Sequence, residues 1–299
     1  MADTHSLRPT TEGTIARLGR KIANLRLSGT AMICLTILFI FVLLALFSPL
    51  FAPYDPVFPD LRARLAPPAW SDGGTMKHIL GTDQLGRDML SRLIYGSRIA
   101  LLVGFLGVIV AAFIGTAIGL MAGFAGGKVD AVLMAIVNTL LAVPNTLLYL
   151  TVLAVFGQSL TLLIIIIGCI NWTTFARVVR GEVLSVKRRE FIEAARAIGQ
   201  LPAITMVRHV LPNVIGPIIV IATMNVAMLI ILEATLSFLG FGVQPPTVTW
   251  GRMLADGRNY VATAWWLAAF PGLMITLLTL SLIFLGDWLR DRLDPRNDA

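Results

Sequence analysis

The chain has 299 residues, 57% of them hydrophobic and only 14% charged, whereas a soluble domain carries about a quarter charged residues. This composition excludes an ordinary soluble enzyme and points to an integral membrane protein. The net charge of +7 does not mark a nucleic-acid binder, because the basic residues stand at the ends of apolar runs rather than in one patch.

In chain order, residues 1–30 form a polar tail too long for the lead of a cleavable signal. The apolar run from Ala31 to Phe47 also exceeds the roughly 7–15 residues of a signal's hydrophobic region. It is therefore a first span, 31–51. Residues 52–97 are rich in Pro and Asp and predict a small ordered cap. A second charge-free segment covers Ile99–Gly127. The next, Ala131–Ala176, is roughly twice the bilayer thickness if it is one helix. Gly157-Gln158-Ser159 is a turn signal that divides it into Ala131–Phe156 and Leu160–Ala176. Pro144 and Asn145 fall inside the first half, where they can bend the helix and free backbone carbonyls. Two more spans, His209–Leu232 and Asn259–Gly286, bring the total to six, followed by a tail at 287–299. Trp250, Trp265, Trp266 and Trp288 flank the last span and read as interfacial anchors.

With the N-terminus inside, the cytoplasmic segments hold sixteen Lys and Arg residues against eight outside. That bias predicts both termini in the cytoplasm, and anionic lipid as a secondary partner. The segment between spans four and five, Arg177 to Arg208, contains a helical pattern. Phe191, Ile192, Ala195 and Ile198 share one face, with Arg189, Glu193 and Arg196 opposite. Gly199 and Pro202 stop that helix. Glu233 is the only acidic residue between this loop and the last outer loop. A carboxylate in a span is costly unless paired or facing water, so it lies in the translocation path, reaches solvent near the outer interface, or locks a helix by hydrogen bonding.

No enzyme motif is present: no Gly-x-Ser-x-Gly, no His-Glu-x-x-His, no paired carboxylates in one apolar segment. Gly126-Gly127-Lys128 echoes the end of a phosphate-binding loop. The earlier glycine it requires is Ala122, however, and Val129 replaces the Mg²⁺-binding hydroxyl. Cys34 and Cys169 lie apart in apolar stretches, and the three histidines match no ligand spacing. No cofactor or metal is expected, and ATP, if used, must be hydrolysed by a partner.

Glu193-Ala194-Ala195-x-x-x-Gly199 followed by Val210-Leu211-Pro212-Asn213 resembles the EAA loop of ABC importer permeases. Small alanines allow close approach of another protein, and a glycine permits the reversal after them. Leu80–Asp88, Ser91–Gly96, Leu236–Pro246 with Trp250-Gly251, and Gly286–Pro295 are similar to the dipeptide/oligopeptide permease branch. Leu65-Ala66-Pro67-Pro68-Ala69-Trp70 resembles its dipeptide "C" subunit in particular. The family's polar segment after the EAA glycine is replaced here by Gln200-Leu201-Pro202-Ala203.

The resemblance implies a six-helix type I ABC importer permease fold with its core at 98–286 and its EAA loop at 177–212. The implied partners are a second homologous permease, two ABC ATPase subunits and an extracytoplasmic peptide-binding protein. The ATPase-coupling residues would be Glu193, Ala194, Ala195, Arg196, Gly199, Leu211 and Pro212. Candidates for the path are Glu233, Pro144 and Asn145. Di- or oligopeptides are the first expectation for substrate, and nickel, glutathione or opines are alternatives within the class. A secondary transporter would require ionisable residues in several spans, which the sequence lacks apart from Glu233.

Overall fold

The computed structural model describes residues 28–293. The 1–27 part of the expected N-terminal tail, and residues 294–299 with the end of the Gly286–Pro295 motif, lie outside the described residues. Those described form helices and turns, with an isolated bridge between Thr82 and Asp88. In order the helices are α1 Gly29–Leu46, α2 Met89–Ala125, α3 Gly127–Ala142, α4 Asn145–Phe156, α5 Leu160–Val186, α6 Glu190–Ala197, α7 Pro202–Phe238, α8 Trp250–Gly257 and α9 Trp266–Leu293. Five are long and apolar enough to span a membrane, and the pair α3–α4 supplies a sixth span if taken together.

Helix boundaries depart from the charge-free segments. α2 begins ten residues before Ile99, α5 runs past Ala176 to Val186, and α7 covers Pro202–Phe238 rather than His209–Leu232. The last span starts at Trp266 instead of Asn259, because the chain after Trp250–Gly257 first passes through a 3-10 turn at Arg258–Tyr260 and a further turn. The cause is physical. Charge-free windows track the hydrocarbon slab, whereas the helical ladder continues into water. The 37 residues of α2 reach roughly 55 Å, well beyond a ~30 Å hydrocarbon core.

The expected break at Gly157-Gln158-Ser159 is present, with Ser159 capping α5 through Leu162 N–H at 3.2 Å. A second break falls at Pro144, where α3 and α4 meet at 81°. Proline removes the N–H that would reach Leu140 and holds Val143 extended, at φ −90° and ψ 131°. α3 is tethered to α5 by Asp130 with Arg180 and by Arg177 donating to Asn138 at 3.1 Å. α4 is tethered separately, Asn171 donating to the Tyr149 hydroxyl at 2.6 Å.

The centre of the bundle is a parallel pairing of α2 with α5. Gly115, Gly119 and Gly123 fall on one face of α2, and a Cβ at Gly115 would stand 2.4 Å from Trp172 O. At Gly119 it would stand 2.7 Å from Ala176 O. Small residues at this spacing let two backbones pack in contact, which substitutes for the hydrophobic drive that lipid does not supply. α2 therefore runs as an axial strut, with the cap at its start and α6 at its end.

Candidate functional site

α6 is carried on the ends of three spans. Ile192 is fully buried among Leu120 and Phe124 of α2, Val183 and Val186 of α5, and Val210 and Val214 of α7, and Ala195 is nearly as buried. Phe191 and Ile198, expected on the same face, are 40% and 82% exposed. The helix has only eight residues, and a seat made of three helix ends covers just the stripe at i and i+3. Glu193, Ala194, Arg196 and Gly199 all stand exposed, with Ala197 and Ile198 beside them.

The helix stops as the sequence predicts. Gly199 adopts φ +74°, its N–H donates to Arg196 O, and Gln200 N–H donates to Ala195 O. These are the paired bonds of a Schellman ending, in which a left-handed residue satisfies the last carbonyls. Pro202 then opens α7 in the first turn, where its missing N–H leaves nothing unpaired. The departure Gln200–Ala203 is thus a helix start. A π turn over Met206–Val210 precedes Pro212, with Leu211 N–H donating to Met206 O. Leu211 packs against the Ile192 cluster and Pro212 is half-buried next to it.

Two cations close on the end of α2. Lys187 Nζ donates to Phe124 O at 2.5 Å and lies 5.7 Å from the centre of its ring. Arg196 lies 5.8 Å from the same ring. Phe124 O belongs to the last turn of α2, where unpaired carbonyls favour a cation.

The start of α2 is built differently. Asp88 caps it, accepting from Ser91 N–H and Ser91 Oγ at 2.8 Å each and from His78 Nδ1 at 2.9 Å. Asp83 accepts from Leu85 N–H, from Arg87 N–H, from Arg87 Nε at 2.6 Å, and from Arg92, which is 3% exposed. Trp250 Nε1 donates to Leu93 O at 2.9 Å, and Trp266 Nε1 to Thr82 O at 3.0 Å. These two indoles are 1% and 5% exposed, so the expectation of four interfacial anchors is corrected. Trp250 and Trp266 fasten the cap to the bundle, because a buried indole N–H takes a partner. Trp265, 46% exposed, fits the anchor reading. An Asp immediately before a helical pattern is an N-cap signal and marks Asp88 in the sequence. The long-range partners of Arg92 and the indoles leave no local trace.

The path candidates separate. Pro144 is exposed and Asn145 half-buried at the α3–α4 elbow. Glu233 is 1% exposed and accepts from Ser237 Oγ at 2.6 Å. It is enclosed near the junction of α7 with α8, where Gly251 backs onto Ala234. Within this chain Glu233 does not reach solvent, and its carboxylate bonds one turn along its own helix.

Residues 115–298 match the family of the binding-protein-dependent transport system inner membrane component, and residues 22–68 match the N-terminal TM domain of oligopeptide transport permease C. The chain belongs to this family of transport permeases. It is 40% identical over 262 residues to the di/tripeptide transport system permease protein DppC of Pseudomonas aeruginosa, covering 88% of this chain and 86% of that one. It is 41% identical over 266 residues to the dipeptide transport system permease protein DppC of Escherichia coli K12, covering 89% of each. Among solved structures it is similar to a chain of the inward-facing MetNI methionine ABC transporter. The TM-score is 0.56 at 20% identity, over 68% of this chain and 97% of that one, a likeness of fold.

Proposed function

We propose that this permease subunit forms half of a path through which di- or short oligopeptides enter the cell, driven by ATPase subunits that grip α6. The observation that carries the reading is the division of α6. Its buried stripe is fixed to three spans, while Glu193, Ala194, Arg196 and Gly199 are left open to another protein. The peptide substrate is supported by the relatives, which are dipeptide, di/tripeptide and oligopeptide permeases. The basic asymmetry supports termini and α6 on the cytoplasmic side. The cap then faces outward, toward a solute-binding protein. A second homologous permease supplies the other half of the path.

In this reading ATP-driven closure of the ATPases displaces α6, and the ends of α2, α5 and α7 move with it. The bundle alternates between inward- and outward-open states, and each partner shifts that balance only through its differential affinity for the two. The test is dipeptide uptake by proteoliposomes holding the full complex. Uptake is expected only with ATP inside the cytoplasmic compartment, both permeases and loaded binding protein. Uphill dipeptide uptake by this chain alone contradicts it.

A further inference from the structure

Between the cap and α8 lies a recess. Polar Asp83, Gln84, Arg92 and Asp256 and apolar Met89, Met253 and Leu267 line a cavity of about 10 Å³. One water needs roughly 10–15 Å³ of such space and about two to four polar partners.

Two polar atoms of its lining residues are sealed from solvent without a hydrogen-bond partner among the described residues: the donor Arg92 Nε and the acceptor Gln84 Oε1. Burial of either without a hydrogen bond is costly. Across the recess the Asp256 carboxylate stands 3.9 Å from Arg87 and 4.0 Å from Arg92. Those separations are too long for direct hydrogen bonds and suit an intervening water. The nearer partner of Asp256 is Arg252 of its own helix, at 3.3 Å.

Charge and valence decide what fits. The carboxylates of Asp83 and Asp256 disfavour an anion, and the guanidiniums of Arg87 and Arg92 disfavour a cation. Arg92 Nε requires an acceptor and Gln84 Oε1 a donor, in a space for one heavy atom. We propose that the recess is a binding site for a single water molecule that accepts from Arg92 Nε and donates one proton to Gln84 Oε1 and the other to Asp256. The water joins two bodies. Asp83, Gln84 and Arg92 belong to the cap and the start of α2, and Asp256 belongs to α8. The ion pair that links them is completed through solvent, beside the direct bond from Trp250 of α8 to Leu93 O. This site does not depend on substrate or direction of transport.

The assembled complex provides the test. A density map that shows ordered waters is expected to place a peak within hydrogen-bonding distance of both Arg92 Nε and Gln84 Oε1. Hydroxyl-radical footprinting gives an independent reading. Met89 and Met253 are 1% and 3% exposed, yet a bound water generates the radical next to them. Both should oxidise several-fold faster than Tyr149 and Phe175, which are equally buried but lie away from the recess. In Gln84→Leu the acceptor is gone, and oxidation of both methionines should fall several-fold while that of exposed Trp70 is unchanged. A dry recess in the map overturns the proposal. So does methionine oxidation no faster than at Tyr149 and Phe175, or oxidation unaffected by Gln84→Leu.

Discussion

The two ends of α2 carry the most distinctive motifs of the chain and are built on opposite terms. At Met89 the cap is pinned by buried charges and by indole N–H groups that reach backbone carbonyls of distant segments. At Phe124 the partner element is an eight-residue helix held by Ile192, Ala195 and Arg196 over the Phe124 ring, with most of its surface exposed. The first arrangement over-determines a position. The second leaves an element that an outside protein can take hold of. Elements that must move are drawn from the less stable parts of a fold, and α6 has that character.

The contrast breaks most sharply at Asp83. Asp83→Ala leaves buried Arg92 without its close partner, with only Asp256 at 4.0 Å, and removing one member of a buried pair costs roughly 3–5 kcal/mol. The expected result is loss of most of the subunit from the membrane and a lower melting temperature of the complex, read by quantitative immunoblot and thermal unfolding. Wild-type abundance would show that the cap is not pinned by this network.

A smaller stability effect with a larger functional one is expected at Gly199. A Cβ there meets nothing within 4 Å, so space is not the constraint. The φ of +74° is, since left-handed backbone costs a non-glycine residue roughly 1–2 kcal/mol. Gly199→Val should insert normally and yet lose peptide uptake out of proportion to protein level. Ala197→Val adds the same bulk to the exposed side of the helix without straining the turn, and should lose less uptake. Equal uptake by the two variants removes the turn from the coupling mechanism.

The smallest effect lies at Arg196. Its contact with the Phe124 ring is a partly exposed cation–π pair, worth roughly 0.5–1 kcal/mol. Arg196→Gln should leave abundance unchanged and lower the ratio of peptide taken up to ATP hydrolysed. Arg196→Lys should restore part of that ratio. If Arg196→Lys behaves as Arg196→Gln does, charge over the ring is not what matters.

The two ends also differ in how far the sequence reveals them. The EAA end is legible because its signals are local: a periodic face, an alanine pair, a glycine at the reversal and a proline after it all fall within one segment. Even there the width of the buried face was not, since Phe191 and Ile198 are excluded by the shape of a seat built from three other helices. The cap was legible as an ordered element but not in its fastening. Trp250 reaches Leu93 and Trp266 reaches Thr82 across more than half the chain, and an indole has the same composition whether it faces lipid or core. Pro144 announced a bend through its own chemistry. The helix ends at Met89 and Val186 were hidden because charged residues such as Arg92 and Arg180 end a hydropathy window without ending a helix.

The central claim, that the exposed side of α6 is the surface the ATPase grips, is tested most directly by neighbouring cysteines. In a background with Cys34 and Cys169 replaced by serine, Ala194→Cys and Ala195→Cys differ in what the chain itself covers. Ala194 is exposed and Ala195 is 6% exposed. Thiol-reagent labelling of solubilised subunit, with and without its ATPase subunits, should show Ala194→Cys reacting quickly alone and strongly protected in the complex. Ala195→Cys should react slowly in both. Labelling of Ala194→Cys at the same rate with the ATPases bound would contradict the account.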